Sequence, residues 1–152
     1  MAGDGSVLRV RTRLAPAWLR RASDVLFYGY VGLMVVAGAW GVVFGRFDQS
    51  RLLGLDLDRL APRTEANVMT QYRFLRAIEL GFGLFAILYK EPIYQKRAFN
   101  RLFLFTMTAG VAGRGLSLRL DGTPSPIMYV FGGWEVLGVG VIYAYTRTTL
   151  ED

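Results

Sequence analysis

From Val25 to Gly45 the chain runs 21 residues without a charge. About 20 residues at 1.5 Å each cover the hydrocarbon of a bilayer, so this block is long enough to cross one as a single helix. Block length is what separates a membrane span from a buried core helix. Three weaker blocks follow: Tyr72 to Tyr89 carries Arg73, Arg76 and Glu79 near its start, Leu102 to Leu118 carries Arg114, and Ile127 to Thr146 carries Glu135. The chain is 53% hydrophobic with a mean hydropathy of +0.30, more apolar than a soluble unit of 152 residues usually is. The sequence therefore predicts an all-α integral membrane bundle of four transmembrane helices, about 25–45, 70–89, 101–118 and 127–146. These form one domain over residues 24–147, between a basic cytoplasmic segment 1–23 and a cytoplasmic tail 148–152.

A net charge of +6 and a pI near 10.0 suit a nucleic-acid binder only if the charge sits on one face with aromatic platforms. Here the aromatic residues lie inside the apolar blocks, so no nucleic-acid partner is expected. The charge instead sorts by side. The N-terminal segment, the 90–101 connection and the tail hold ten basic residues: Arg9, Arg11, Arg13, Arg20, Arg21, Lys90, Lys96, Arg97, Arg101 and Arg147. Six lie on the other side: Arg46, Arg51, Arg59, Arg63, Arg73 and Arg119. By the positive-inside rule both termini are expected in the cytoplasm.

Cysteine and histidine are both absent. Thiolate nucleophiles, imidazole bases and disulfides are thereby excluded, and no metal or cofactor is expected. The basic lead, the apolar run and Ala37-Gly38-Ala39 resemble a signal peptide with its cleavage site. The reading preferred is an uncleaved first helix whose small residues serve packing. Arg20-Arg21 makes a poor twin-arginine signal, because Asp24 follows before the apolar run.

Between the first two blocks, Leu52, Leu53, Leu55, Leu57 and Leu60 alternate with Arg51, Asp56, Asp58 and Arg59, and Pro62 ends the run. This predicts a short amphipathic helix in the first outer loop, with irregular cover for the helix ends as the alternative. The connection "KEPIYQKRAFNR" is short enough to make helices two and three antiparallel neighbours. The run "LRLDGTPSP" predicts a compact turn at Asp121-Gly122.

The charges inside the blocks are the candidate site. Counted from the helix ends, Arg114 lies roughly 6 Å, Arg76 roughly 9 Å, Glu135 roughly 12 Å and Glu79 roughly 14 Å below the outer surface. A charge near the bilayer centre costs about 2.5 to 3.5 kcal/mol on insertion scales, so such residues turn inward and pair. Helical spacing puts Tyr72, Arg76, Glu79, Gly83 and Ala86 on one stripe, Gly110, Arg114 and Ser117 on another, and Gly132, Glu135 and Gly138 on a third. Gly38, Gly41 and Gly45 add a small-residue face on the first helix. The reading is an interhelical network of Arg76, Glu79, Arg114 and Glu135 that opens outward, with Gly38, Gly41, Gly45, Gly110, Gly132 and Gly138 as packing positions.

Three stretches carry a family resemblance: "LRAIELGFGLF" at 75–85, "GRGLSLRLDGTPSP" at 113–126 and "WEVLGVGV" at 134–141. They resemble a bacterial family of small four-helix membrane proteins whose shared domain has no known function. Arg76-Ala77, Arg114 with Ser117, Asp121-Gly122 with Pro124, and Glu135 match its pattern, and Ile78-Glu79 departs from an expected Gly-Gly-like step. More distantly the chain is similar to the DoxX-like four-helix proteins. The resemblance spans about residues 25–146 and implies fold and a bacterial inner-membrane location, with no catalytic residue or cofactor.

Two functions stay open. In the first, the charges are mutual glue and the chain is a non-catalytic membrane protein, a homo-oligomer or an accessory subunit beside other membrane subunits and lipids. In the second, they line an outward-facing Arg/Glu cavity of a small transporter or lipid-binding protein. A hydrolase built on Glu79 and Glu135 lacks any nucleophile or metal constellation.

Overall fold

The computed structural model describes residues 15–150, and the basic Arg9, Arg11 and Arg13, like the last two residues of the tail, lie outside that range. Among the described residues the fold consists of five α-helices: α1 (Ala17–Arg51), α2 (Pro62–Leu88), α3 (Lys90–Gln95), α4 (Arg97–Leu120) and α5 (Pro126–Thr146). No strand occurs among the described residues. Two of the helices, α1 and α5, are long and apolar enough to cross a membrane. The internal charges of α2 and α4 keep those helices below that mark.

Hydropathy locates the apolar middle of a helix and not its ends. Helix α1 begins at Ala17, before the uncharged block, and continues past Gly45 to Arg51. Its polar ends persist because they find partners. Tyr94 Oη lies 2.9 Å from Ser23 Oγ, and Lys90 Nζ donates to Asp24 Oδ1 at 2.7 Å. At the far end Asp48 accepts from Trp40 and Tyr72. The helix kinks at Phe44, where φ −102° and ψ 28° leave the helical region just before Gly45.

The long first connection shrinks to residues 52–61, and the amphipathic helix expected there does not form. Gly54 takes a left-handed φ of 69°, and only a three-residue 3₁₀ turn, Leu57–Arg59, follows. Leu57 alone of the run is buried. Pro62 does not stop a helix; it starts α2 in the first turn, where its fixed φ suits helix entry and its missing N–H costs nothing. The connection after α2 holds the short α3, and the chain breaks at Lys96 in extended geometry before α4. The turn between α4 and α5 falls at the expected place, with Gly122 at φ 100°.

Helix α2 packs most extensively on α1, α5 packs on α1 and α4, and α3 folds against α4. The hydrophobic core gathers at one end of the bundle: Phe27, Val31, Ile93, Phe103, Met107 and Ile142 are almost wholly shielded. Helices α2 and α4 meet there through aromatic rings. Phe82 stacks on Phe103 at 5.7 Å, and Phe85 and Tyr89 stack on or tilt against Phe99 and each other. Tyr94 closes this end. Its ring meets Phe27 edge-on at 5.4 Å, its hydroxyl reaches Ser23, and its carbonyl accepts from Thr149 Oγ1 at 2.8 Å.

The other end is built differently. The buried residues there are Gly41, Gly45, Asp48 and Gln49 of α1 with Leu57 of the connection and Met69 and Tyr72 of α2, while the facing turns of α4 and α5 hold no buried residue. The core stops half way along the bundle, and a cavity begins where it stops.

Candidate functional site

The α1–α2 contact sets the geometry. A methyl group at Gly38 would stand 2.7 Å from the backbone nitrogen of Leu80, and one at Gly41 would stand 2.6 Å from Cγ of Arg76. At Gly45 it would meet Met69 and Tyr72 at 3.1 Å, and Gly83 answers from α2 against Val35 and Val31. Glycine is thus needed for close approach, and the groove it leaves carries the Arg76 side chain.

Arg76 is held from two sides. Its Nη1 donates to Glu79 Oε2 at 2.6 Å, one turn along α2, and its Nε donates to Tyr72 Oη at 2.8 Å. Tyr72 in turn donates to Asp48 Oδ2 at 2.8 Å, and Trp40 Nε1 donates to Asp48 Oδ1 at 3.1 Å. A continuous chain therefore runs from Glu79 through Arg76 and Tyr72 to Asp48 and Trp40. Asp48 is 3% exposed, with both carboxylate oxygens accepting hydrogen bonds. Asp48 is absent from the candidate residues drawn from the sequence, because it lies in what reads as a loop. The signal was present: Gly38, Gly41 and Gly45 extend by one more helical step to position 48.

The second pair bridges α4 and α5. Arg114 Nε and Nη2 reach Glu135 Oε2 and Oε1 at 2.7 and 2.9 Å, a two-pronged contact matched to the carboxylate fork. Gly132 leaves room beside Arg114, with its nearest neighbour, Arg114 Cδ, 3.7 Å from a built methyl, and Gly138 seats the methyl of Met107. Gly110 has open space around it and packs against nothing among the described residues.

All four charged residues line one cavity of about 260 Å³ between α1, α2, α4 and α5, together with Asp48, Tyr30 and Trp40. They do not share one hydrogen-bonded network. They form two pairs, Arg76–Glu79 within α2 and Arg114–Glu135 between helices, facing a common space. The rest of the lining is mostly apolar, with Leu33, Met34, Phe47, Ile127 and Phe131 among it. Each pair is also lopsided. Glu79 is 38% exposed against 20% for Arg76, and Arg114 is 40% exposed against 13% for Glu135. The more accessible member is thus a carboxylate in one pair and a guanidinium in the other, each steadied by a more deeply sunk partner.

Fold and site define an all-α helical protein with two helices able to cross a membrane and an interhelical cavity edged by paired charges. Within that class the chain belongs to the family described as a domain of unknown function, DUF4345, whose model matches residues 24–146. No curated protein and no solved structure matches the chain.

Proposed function

We propose that this is a four-span protein of a bacterial cytoplasmic membrane, with both termini on the cytoplasmic side, that binds an amphiphile with a zwitterionic head in its interhelical cavity. The membrane reading rests on more than two apolar helices. Large apolar side chains stand exposed on every long helix, among them Val36 and Val43 of α1, Ile78 and Leu88 of α2, Phe105 and Leu116 of α4, and Val130 and Val136 of α5. A surface of that kind in water would be an aggregation liability, and in lipid it is the ordinary exterior. Orientation follows from the count of basic residues in the sequence, ten against six, by the positive-inside rule.

The lopsided exposure of the two ion pairs carries the ligand reading. An occupant with a cation near Glu79 and an anion near Arg114 meets complementary charge at both points without either protein charge losing its own partner. The apolar walls suit a chain attached to that head. A volume of about 260 Å³ is at the small end of ligand cavities, enough for a head or a small solute and too small for a whole lipid.

The accessory-subunit reading keeps one observation of its own. Gly110 and Gly113, one helical turn apart on α4, would each carry a methyl group with nothing within 4 Å among the described residues, the kind of surface on which a second membrane helix packs. Native mass spectrometry of the chain extracted gently from its membrane separates the two. A stoichiometric zwitterionic lipid or solute, lost in Arg114→Ala and in Glu79→Gln, supports the binding reading. A ligand-free assembly with a defined partner or copy number, broken by Gly113→Leu and indifferent to Glu79→Gln, overturns it.

A further inference from the structure

The cavity between the paired charges has walls poor in uncommitted hydrogen-bond acceptors and rich in aromatic rings. Its three carboxylates are already engaged. Both oxygens of Asp48 accept, from Trp40 and Tyr72, and both oxygens of Glu135 accept from Arg114. Glu79 gives Oε2 to Arg76. Its Oε1 and the Tyr30 hydroxyl are the side-chain oxygens of the lining that no hydrogen bond engages among the described residues. A primary ammonium brings three N–H donors and gives up its water on entering such a space. Two separate oxygens are a poor exchange. A quaternary ammonium brings no donor, spreads its charge over methyl groups and is attracted to aromatic faces.

Tyr30, Trp40, Phe47 and Phe131 supply those faces. The rings of Trp40 and Phe47 meet at 81° with centroids 6.3 Å apart, so two ring planes stand close to a right angle in the lining. The indole is fixed in advance. Its Nε1 donates to the buried Asp48, and Phe44, which is outside the lining, packs against it at 4.3 Å. A tryptophan of an interfacial belt keeps its N–H at the headgroup level. Here the N–H is turned to the protein, and through Asp48, Tyr72 and Arg76 it joins the same hydrogen-bonded chain as Glu79. Ring and carboxylate are thus set relative to each other before a ligand arrives, which lowers the cost of ordering them on binding. We infer that the cationic end of the zwitterion is a quaternary ammonium, of the trimethylammonium type found on choline lipids and on free betaines, with Glu79 meeting its charge and Trp40, Phe47 and Phe131 its methyl groups. The inference rests on the zwitterion reading above and narrows it.

The test reconstitutes the full chain in vesicles of equal parts phosphatidylcholine and phosphatidylethanolamine with the same acyl chains and counts retained lipids by native mass spectrometry. Both heads are zwitterionic, so only the ammonium differs. Phosphatidylcholine should be retained about tenfold over phosphatidylethanolamine. Trp40→Leu should bring the ratio near one, and Trp40→Phe should keep most of it. Phe131→Leu removes a ring and keeps an apolar side chain; it should lower the ratio about threefold, and it decides the question should Trp40→Leu fold poorly. Calorimetry on the lipid-free chain with glycerophosphocholine and glycerophosphoethanolamine covers a soluble source. Binding of the first about tenfold tighter supports the inference with a free solute as ligand, and phosphatidylcholine retained while neither free head binds supports it with a lipid. Equal retention of the two lipids, both lost in Arg114→Ala, overturns the inference and leaves the zwitterion reading standing. A preference untouched by Trp40→Leu and by Phe131→Leu overturns the aromatic site. Retention of neither lipid and binding of neither head overturns the zwitterion reading, and this inference with it.

Discussion

The guanidinium arm of Arg76 lies in the notch left by Gly41, so closely that a methyl group there would stand 2.6 Å from Cγ and 2.8 Å from Nε. An arginine inside an apolar helix is therefore accommodated by a missing side chain on its neighbour. Gly41→Ala must push Arg76 off Tyr72 or Glu79. The expected cost is about 1 to 3 kcal/mol, the range of overpacking in a filled core, seen as a lower melting temperature in detergent. Gly38→Ala should cost at least as much, since the atoms it meets are backbone and cannot swing away.

Gly110→Ala is the counterpart. Its position is helical and open, so the substitution removes a flexible residue without a clash and should stabilise by about 0.5 to 1 kcal/mol. A loss of stability of the same size as in Gly38→Ala would mean that this face of α4 is covered in the membrane.

How far the sequence reaches is visible in these three glycines. Spacing alone puts Gly38, Gly41 and Gly110 on charged or small faces, and the same argument cannot say which face has a neighbour. The four charges inside the apolar blocks are likewise legible as residues that must pair. Which pairs form depends on helix rotation, and Arg76 takes Glu79 from its own helix while Arg114 crosses to α5. Asp48, Ser23 and Tyr94 were hidden by a bias of hydropathy itself, which ends a helix where polarity begins. Here polar turns stay helical because each finds a buried partner. The loop error has the same root: leucines in the Arg51–Leu60 run suggest a helix, while Gly54 and the entry proline Pro62 decide otherwise.

The Arg114–Glu135 contact is two-pronged and joins two helices, so it should show real coupling. A double-mutant cycle with Arg114→Gln and Glu135→Gln, read by unfolding in detergent, should give about 1 to 2 kcal/mol, toward the upper end for interhelical polar pairs. The contacts of Arg46 with Glu65 and Asp58 offer a control, because Arg46 and Asp58 are largely solvent-facing. Arg46→Gln and Asp58→Asn should couple by less than about 1 kcal/mol. Equal coupling in both cycles would remove the distinction between a site pair and a surface pair.

Asp48→Ala takes both acceptors from Tyr72 and Trp40 at once. Leaving a buried hydroxyl without its partner costs about 1 to 3 kcal/mol, and Arg76 loses the anchor behind Tyr72. Asp48→Asn keeps one oxygen for Trp40 and should lose less. Trp40 fluorescence measures the local change, and an emission unchanged in Asp48→Ala would show that the Trp40–Asp48 hydrogen bond does not hold the indole.

Lys90 gives the pH dependence of the closed end. Its ammonium donates to Asp24 and lies 4.2 Å from the centroid of the Tyr28 ring. Burial alone would lower its pKa, but the hydrogen bonds to Asp24 and Tyr28 outweigh that and raise it above the ordinary 10.5. A pKa raised by folding adds stability that is complete below the unfolded value and is lost as pH climbs through the folded one. The stability difference between the native chain and Lys90→Met should therefore hold steady, at about 1 kcal/mol for a part-exposed pair, from neutral pH up to about pH 10. It should then shrink toward zero above that. Unfolding of both chains in detergent across this range, compared as a difference so that other titrating groups cancel, reads the effect. A difference that falls away between pH 7 and pH 9 would mean that Lys90 loses its proton early and that Asp24 and Tyr28 do not hold its charge.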